Sequence, residues 1–210
     1  MENTNLSFSE LTYLNAEKFV DQGGFLQNKE ELPGGRKVNI SKLGNLLLEN
    51  AFAFLYTKGY VDLRLDSKKV LGIFPQKIVL ASKKSAAPEE FILEKDLFSL
   101  SDNVNVYLLV YRLIGDDMTV PWSAITYRVK ESLVKKGILV KEEIIKKIIV
   151  EFKSYKYHLS SQFTGGLNAE MDNMERILAD FRRNDFYTTL IKAIESGMKA
   201  RVEKPDNDSD

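Results

Sequence analysis

A mainly α-helical fold with small β-hairpins is predicted for this chain of 210 residues. The helices are expected to form a bundle around a central hydrophobic helix, with winged-helix-like helix–hairpin units attached. Three observations predict this. Leu43, Leu46, Leu47, Leu48, Ala51, Phe52, Ala53, Phe54 and Leu55 leave one helix almost no polar face, so it belongs inside a domain. After Gly59 the apolar period changes from 3.6 to 2, with Val61, Leu63 and Leu65 alternating with Asp62, Arg64 and Asp66. A second helix closes on Gly137 and is again followed by β-branched and aromatic residues.

Taken in order, Phe8, Leu11, Tyr13, Leu14 and Phe19 fall at near-helical spacing, before Gly23-Gly24 and Pro33-Gly34-Gly35 break the chain. Ser41 is placed to cap the central helix, which runs to about Lys58 with Gly59 as its stop. Asp66-Ser67-Lys68-Lys69 reads as a polar turn, and Pro75 argues for an edge or a bend rather than a central strand. A further short strand is expected at 77–81, loop at 82–90 and a short helix at 91–100. Asp102 is placed to cap a helix over 104–114. Pro121 suits the first turn of the next helix, where Trp122, Ile125, Val129 and Leu133 recur at helical spacing. Residues 138–140 start an extended segment, and 146–159 (KKIIVEFKSYKYHL) reads as a strand pair. Met171, Met174, Leu178 and Phe181 mark one further helix. Phe186, Leu190 and Ile194 mark another, stopped at Gly197. The expected organisation is therefore an N-terminal helix and loop over 1–40, one domain over 41–200 and a disordered acidic tail over 201–210.

Composition narrows the function classes. With 44% hydrophobic residues the chain can bury a core. Thirty basic residues balance thirty acidic ones, so general coating of nucleic acid is not expected. The absence of cysteine removes disulfides and thiolate chemistry, and a single histidine, His158, argues against zinc sites and Ser-His-Asp systems. No apolar run reaches the roughly 18 residues of a membrane span. The opening MENTNLSFSELTYLN has no basic stretch leading into an apolar one, so no signal peptide is expected. A soluble, cytoplasmic protein follows.

Candidate chemistry is sparse. The glycine pairs lack phosphate-loop spacing, and Gly34-Gly35-Arg36-Lys37 reads as a basic turn. Asp116-Asp117, Glu89-Glu90 and Glu142-Glu143 are adjacent carboxylates beside turns, which do not converge on one substrate atom. Trp122 fits either a core position or an interfacial anchor. Neither enzyme activity, a cofactor nor a metal is expected. More informative is the stretch 128–156, with nine Lys or Arg against four Glu, an excess of five. Its dibasic steps Lys135-Lys136 and Lys146-Lys147 alternate with Ile144-Ile145 and Ile148-Ile149-Val150. Cations beside exposed aliphatic groups suit an anionic membrane surface, whereas a buried strand with lysines at its ends is the plain structural alternative.

Several segments, in order, resemble the Golgi phosphoprotein 3 family of peripheral membrane proteins, which has bacterial and archaeal relatives. LLLENAFAFLYTKGYVDLRL is similar to that family's central helix ending in a glycine before a strand. QKIVLASKKSAAPEEFILEKDLFSL resembles its strand, loop and helix, VNVYLLVYRLIGDD with YRVKESLVKKGIL its next helices, and KKIIVEFKSYKYHL its hydrophobic hairpin. Together these cover about residues 41–160. The resemblance implies a mainly helical fold, a basic pocket for phosphatidylinositol 4-phosphate and an apolar hairpin that enters the bilayer. On this chain the implied inserting residues are Ile148, Ile149, Val150 and Phe152, flanked by Lys146, Lys147 and Lys153, with Glu151 among them. The implied head-group set is Arg128, Lys130, Lys135, Lys136 and Trp122. Two family arginine positions read Ser123 and Thr126 here.

The leading expectation is a non-enzymatic peripheral membrane or adaptor protein that binds anionic lipid, with phosphatidylinositol phosphate as one candidate. A protein partner and a second copy of the chain are both compatible with it. The alternative is a winged-helix module binding DNA or a protein through helix 121–136, with Ser123, Thr126 and Tyr127 as contacts.

Overall fold

The computed structural model describes residues 5–25, 27–70, 74–115, 120–147, 151–163 and 166–202. Within them the chain begins with α1 (Phe8–Leu14) and α2 (Ala16–Phe19), then β1 (Lys29–Glu31) and β2 (Lys37–Asn39). Next come α3 (Ile40–Thr57), β3 (Val61–Val70), β4 (Phe74–Lys83), α4 (Ile92–Leu100), β5 (Val104–Asn105) and α5 (Val106–Ile114). The order closes with α6 (Pro121–Lys135), β6 (Leu139–Lys147), β7 (Glu151–Leu159), α7 (Asn168–Phe181) and α8 (Tyr187–Val202). The architecture is mixed α/β: eight helices and three small antiparallel sheets among the described residues, ordered β1-β2, β3-β4-β5 and β6-β7.

Leu43, Leu47, Leu48, Ala51, Phe52, Ala53 and Leu55 of α3 are fully buried, because a helix apolar on most sides gains most by being covered on most sides. The helices α1, α4, α6, α7 and α8 all pack on it. Phe8, Leu11 and Tyr13 of α1 join the same core. Both α3 and α6 end in the same way. Tyr60 N donates to Leu55 O and Gly59 N to Tyr56 O, and in α6 Ile138 N donates to Leu133 O and Gly137 N to Val134 O. Gly59 and Gly137 take φ of +74° and +69°, the left-handed position that a side chain disfavours. Each helix is thereby turned directly into a hairpin.

Several boundaries depart from the sequence expectations. Asn39, not Ser41, caps α3: it leaves β2 in an extended conformation, and its Oδ1 accepts from Lys42 N at 2.9 Å. Asp66-Ser67-Lys68-Lys69 is not a turn. It continues β3, with Asp66 opposite Ile78 and Lys69 opposite Pro75. A two-stranded ribbon with both faces in water accepts polar residues that a covered strand would reject. Pro75 is tolerated because β5 pairs with β4 only at Leu80 and Ala81. Asn105, not Asp102, caps α5, since Val104 and Asn105 are drawn into the sheet as β5. The second hairpin starts at Leu139, which pairs with Leu159, so its arms are longer than the 146–159 segment suggests. Arg201 and Val202 belong to α8 and not to a disordered tail, while 203–210 lie outside the described residues.

Nor does Gly197 stop α8. There the glycine serves close approach: a Cβ would lie 2.9 Å from Tyr107 O and 3.0 Å from Val110 Cβ, so α8 packs on α5 backbone to backbone. Gly197→Ala gains helix propensity, but the backbone carbonyl has nowhere to go. We expect a net loss of about 1–2 kcal/mol in urea unfolding. A stabilised variant would show that α5 and α8 can separate without cost.

Candidate functional site

The basic stretch 128–156 spans α6, the Gly137 turn and both arms of β6–β7, so its placement decides what the excess of positive charge can do. Lys136 Nζ donates to Glu10 Oε2 at 2.6 Å and to Asn5 O at 2.8 Å, and sits 4.0 Å from the centre of the Phe91 ring. Lys130 Nζ donates to Glu30 Oε1 at 2.7 Å. Arg128 reaches Asp96 Oδ2 at 2.8 Å while donating to Leu113 O and Ala124 O, which ties α6 to the C-terminal end of α5. Lys141 pairs with Glu131 at 2.7 Å. Glu10, Glu30 and Asp96 come from outside the segment, so the excess of five falls to two once the fold is formed. Arg128, Lys130 and Lys136 hold elements together; Lys135 and Lys156 are exposed.

Trp122 lies half-buried at the start of α6 and covers Gly44 of α3 so closely that a Cβ there would lie 2.8 Å from Trp122 Cδ1. Its Nε1 donates to Asn45 Oδ1 at 3.1 Å. Of the two sequence readings for Trp122, this geometry matches the packed one. Thr126 is buried and donates to Ser123 O.

The β6–β7 hairpin carries the remaining residues. Cross-strand pairs Lys141/Tyr157, Glu143/Tyr155 and Ile145/Lys153 share one face, and Val140/His158, Glu142/Lys156 and Ile144/Ser154 share the other. Lys146 lies opposite Phe152 and Lys147 opposite Glu151. Ile148, Ile149 and Val150 lie outside the described residues. Val140, Ile145, Tyr155 and Leu159 are all exposed, Ile145 to 53%. On the second face His158 Nε2 lies 3.1 Å from Glu142 Oε2.

Two features here were not legible in the sequence. A cleft of about 520 Å³ opens between β1–β2, α6 and the hairpin, lined by Glu30, Leu32, Lys130, Tyr155, Lys156 and His158 among others. At its base Glu30 accepts from Lys130, from Tyr13 Oη at 3.3 Å and from Thr126 Oγ1 at 3.4 Å. Burial and the Glu30 charge hold the Tyr13 hydroxyl well above its usual pKa. The second feature surrounds Lys141. Its Nζ lies 4.3 Å from the ring centre of Tyr155, 5.3 Å from Tyr127 and 5.9 Å from Tyr157. Tyr157 Oη donates to Glu131 Oε1 at 3.0 Å, and its ring also lies under Lys130 Nζ at 4.6 Å. The hydrogen bond to Glu131 raises the Lys141 pKa. Only the spacing of Tyr155 and Tyr157 on one strand face hinted at this cluster; Tyr127 and Glu131 arrive from α6.

Under the first turn of α1 lies a buried polar knot. Glu10 and Glu94 are each 1% exposed. Ser9 Oγ donates to Glu94 Oε1 at 2.7 Å, and Ser132 Oγ donates to Glu10 Oε1 at 2.6 Å. Burial, and secondarily the Glu10 charge, raise the Glu94 pKa to about 7.

Among the described residues no helix is long and apolar enough to cross a membrane. No protein-family model matches the chain, and neither a curated protein nor a solved structure matches it.

Proposed function

We propose that this chain is a non-enzymatic peripheral membrane or adaptor protein of the cytoplasm that meets anionic lipid through the β6–β7 hairpin. The observation that carries the reading is the hairpin's exposed apolar residues: Ile145, Tyr155 and Leu159 share one face with Lys141, and Val140 shares the other with the exposed Lys156. Apolar and aromatic groups left in water beside cations gain by entering a negatively charged interface. Lys146, Lys147 and Lys153 flank the tip in sequence, and Ile148, Ile149, Val150 and Phe152 are its inserting residues. Lys135 and Lys156 add exposed charge, whereas Arg128, Lys130 and Lys136 serve the fold.

The resemblance to the Golgi phosphoprotein 3 family supports this reading, as do the central α3 with its surrounding helices and the two helix–glycine–hairpin units. Those units also resemble winged helices in outline. A nucleic-acid surface on α6 would draw on Arg128, Lys130 and Lys136, each of which already lies within 2.8 Å of a carboxylate oxygen.

Sedimentation with vesicles tests the proposal. The protein should pellet with choline-free vesicles containing anionic lipid and stay in solution with neutral, choline-free ones, with binding weakened by salt. Replacing Lys146 and Lys147 together by alanine should weaken anionic binding by about thirty-fold, since each basic residue near such a surface contributes about 1 kcal/mol. Equal pelleting with both lipid types, or none with either, would remove the lipid reading.

A further inference from the structure

Three tyrosine rings and a carboxylate converging on one ammonium group form the kind of site that recognises organic cations. Tyr127, Tyr155 and Tyr157 stand 4.3 to 5.9 Å from Lys141 Nζ, with Glu131 Oε1 at 2.7 Å completing the enclosure. Two walls are open to solvent, Tyr127 being 45% and Tyr155 47% exposed. A lysine on a surface strand needs only one carboxylate for its charge; three rings around it exceed what a salt bridge requires.

We propose that this cage is a binding site for a phosphocholine-type ligand, whose quaternary ammonium replaces Lys141 Nζ among the rings while the displaced Lys141 pairs with the ligand's phosphate. The exchange conserves charge at the cage, because Glu131 faces one cation before and after. It suits a quaternary cation because such a group is weakly hydrated and gives up little on meeting aromatic faces, whereas the lysine ammonium returns to water or to the phosphate. Lys141 is tethered and therefore competes at high effective concentration, so an ammonium ligand without a phosphate displaces it poorly.

The proposal rests on the hairpin being lipid-facing where the ligand is a phosphatidylcholine head group, but not where it is soluble phosphocholine. Tyr155 lies four residues from Glu151 at the far end of β7, about 14 Å along a strand. A tip buried about 5–10 Å in the membrane interface would leave the cage near head-group level.

The test titrates the full chain with tetramethylammonium and with phosphocholine by calorimetry. Wild type should bind phosphocholine about tenfold more tightly than tetramethylammonium. Lys141→Ala, which empties the cage, should bind tetramethylammonium about tenfold more tightly than wild type does and lose the preference for phosphocholine. Tyr127→Ala and Tyr155→Ala, each first shown by thermal melting to remain folded, should bind neither. No saturable binding of tetramethylammonium to Lys141→Ala, or binding unchanged in both tyrosine variants, overturns the proposal. Anionic vesicles with and without phosphatidylcholine separate the two ligand sources, and choline-free anionic vesicles separate the two readings. Tyr127→Ala lies off the hairpin and should still pellet with anionic vesicles. If wild type binds soluble phosphocholine but no vesicle, the cage stands and the membrane reading falls; if it pellets with anionic vesicles but binds neither small ligand, the reverse holds.

Discussion

Replacing Lys136 with methionine should lower the unfolding free energy by about 3–5 kcal/mol, as expected when one partner of a buried ion pair is removed. The Glu10 side chain is 1% exposed and the Lys136 side chain 15%. Ser7 N and Ser132 Oγ also donate to the Glu10 carboxylate, at 2.9 and 2.6 Å, so geometry holds it in place. Without the lysine a carboxylate remains buried beside Glu94 with no cation to offset it. Asn5 O loses a donor as well. Urea unfolding of Lys136→Met and of the double variant Lys136→Met/Glu10→Gln reads the effect, and the double variant should recover much of the loss. A loss below about 1 kcal/mol would place Lys136 among ordinary surface charges, free to serve as a lipid contact.

Stability should also fall as the pH rises from about 4.5 to about 7 through Glu94 alone. Its pKa in the folded protein is raised to about 7 by burial and by the nearby Glu10 charge, from an ordinary value of 4.5. The folded form therefore holds this proton more tightly than the unfolded chain does. Its contribution is fully present below pH 4.5 and is lost as the pH climbs through 7, a change of about 3 kcal/mol. Glu94→Gln has no charge to bury. The difference in stability between Glu94→Gln and wild type should grow across that window and level off above it, with the variant the more stable at pH 8. Every other titrating group is common to both proteins, so the difference isolates Glu94. A flat difference between pH 4.5 and 8 would mean that the carboxyl ionises inside the fold without penalty.

Residue patterns made much of the fold legible. The apolar run of α3 could only be satisfied by surrounding it, and the structure does so. Gly59 and Gly137 marked the ends of α3 and α6 because a left-handed residue is needed there; the period-2 alternation after Gly59, and the β-branched and aromatic residues after Gly137, marked the hairpins. Two of the errors are of one kind. Asp66–Lys69 read as a turn because its residues are polar, yet a ribbon exposed on both faces imposes no such rule. Gly197 read as a stop because glycine often ends helices, yet here it makes room for the Tyr107 carbonyl.

The candidate site was less legible. Counting cations over 128–156 correctly found a basic stretch but could not tell which members remain available. Lys130 meets Glu30 across 100 positions of sequence and Lys136 meets Glu10 across 126. Tyr127 of α6 closes on Lys141 only because the Gly137 turn folds β6 back along its helix.

By itself the sequence determined the elements that depend on neighbours within a few positions: helical and strand periodicity, the glycine turns, and the length of the greasy central helix. Tertiary structure decided which charges are spent on the fold, which glycines are needed for close packing, and which aromatics surround Lys141. Backbone conformation responds to residues a turn away, whereas an ion pair or a cage depends on distances of a few ångströms between groups that meet only when the core is packed.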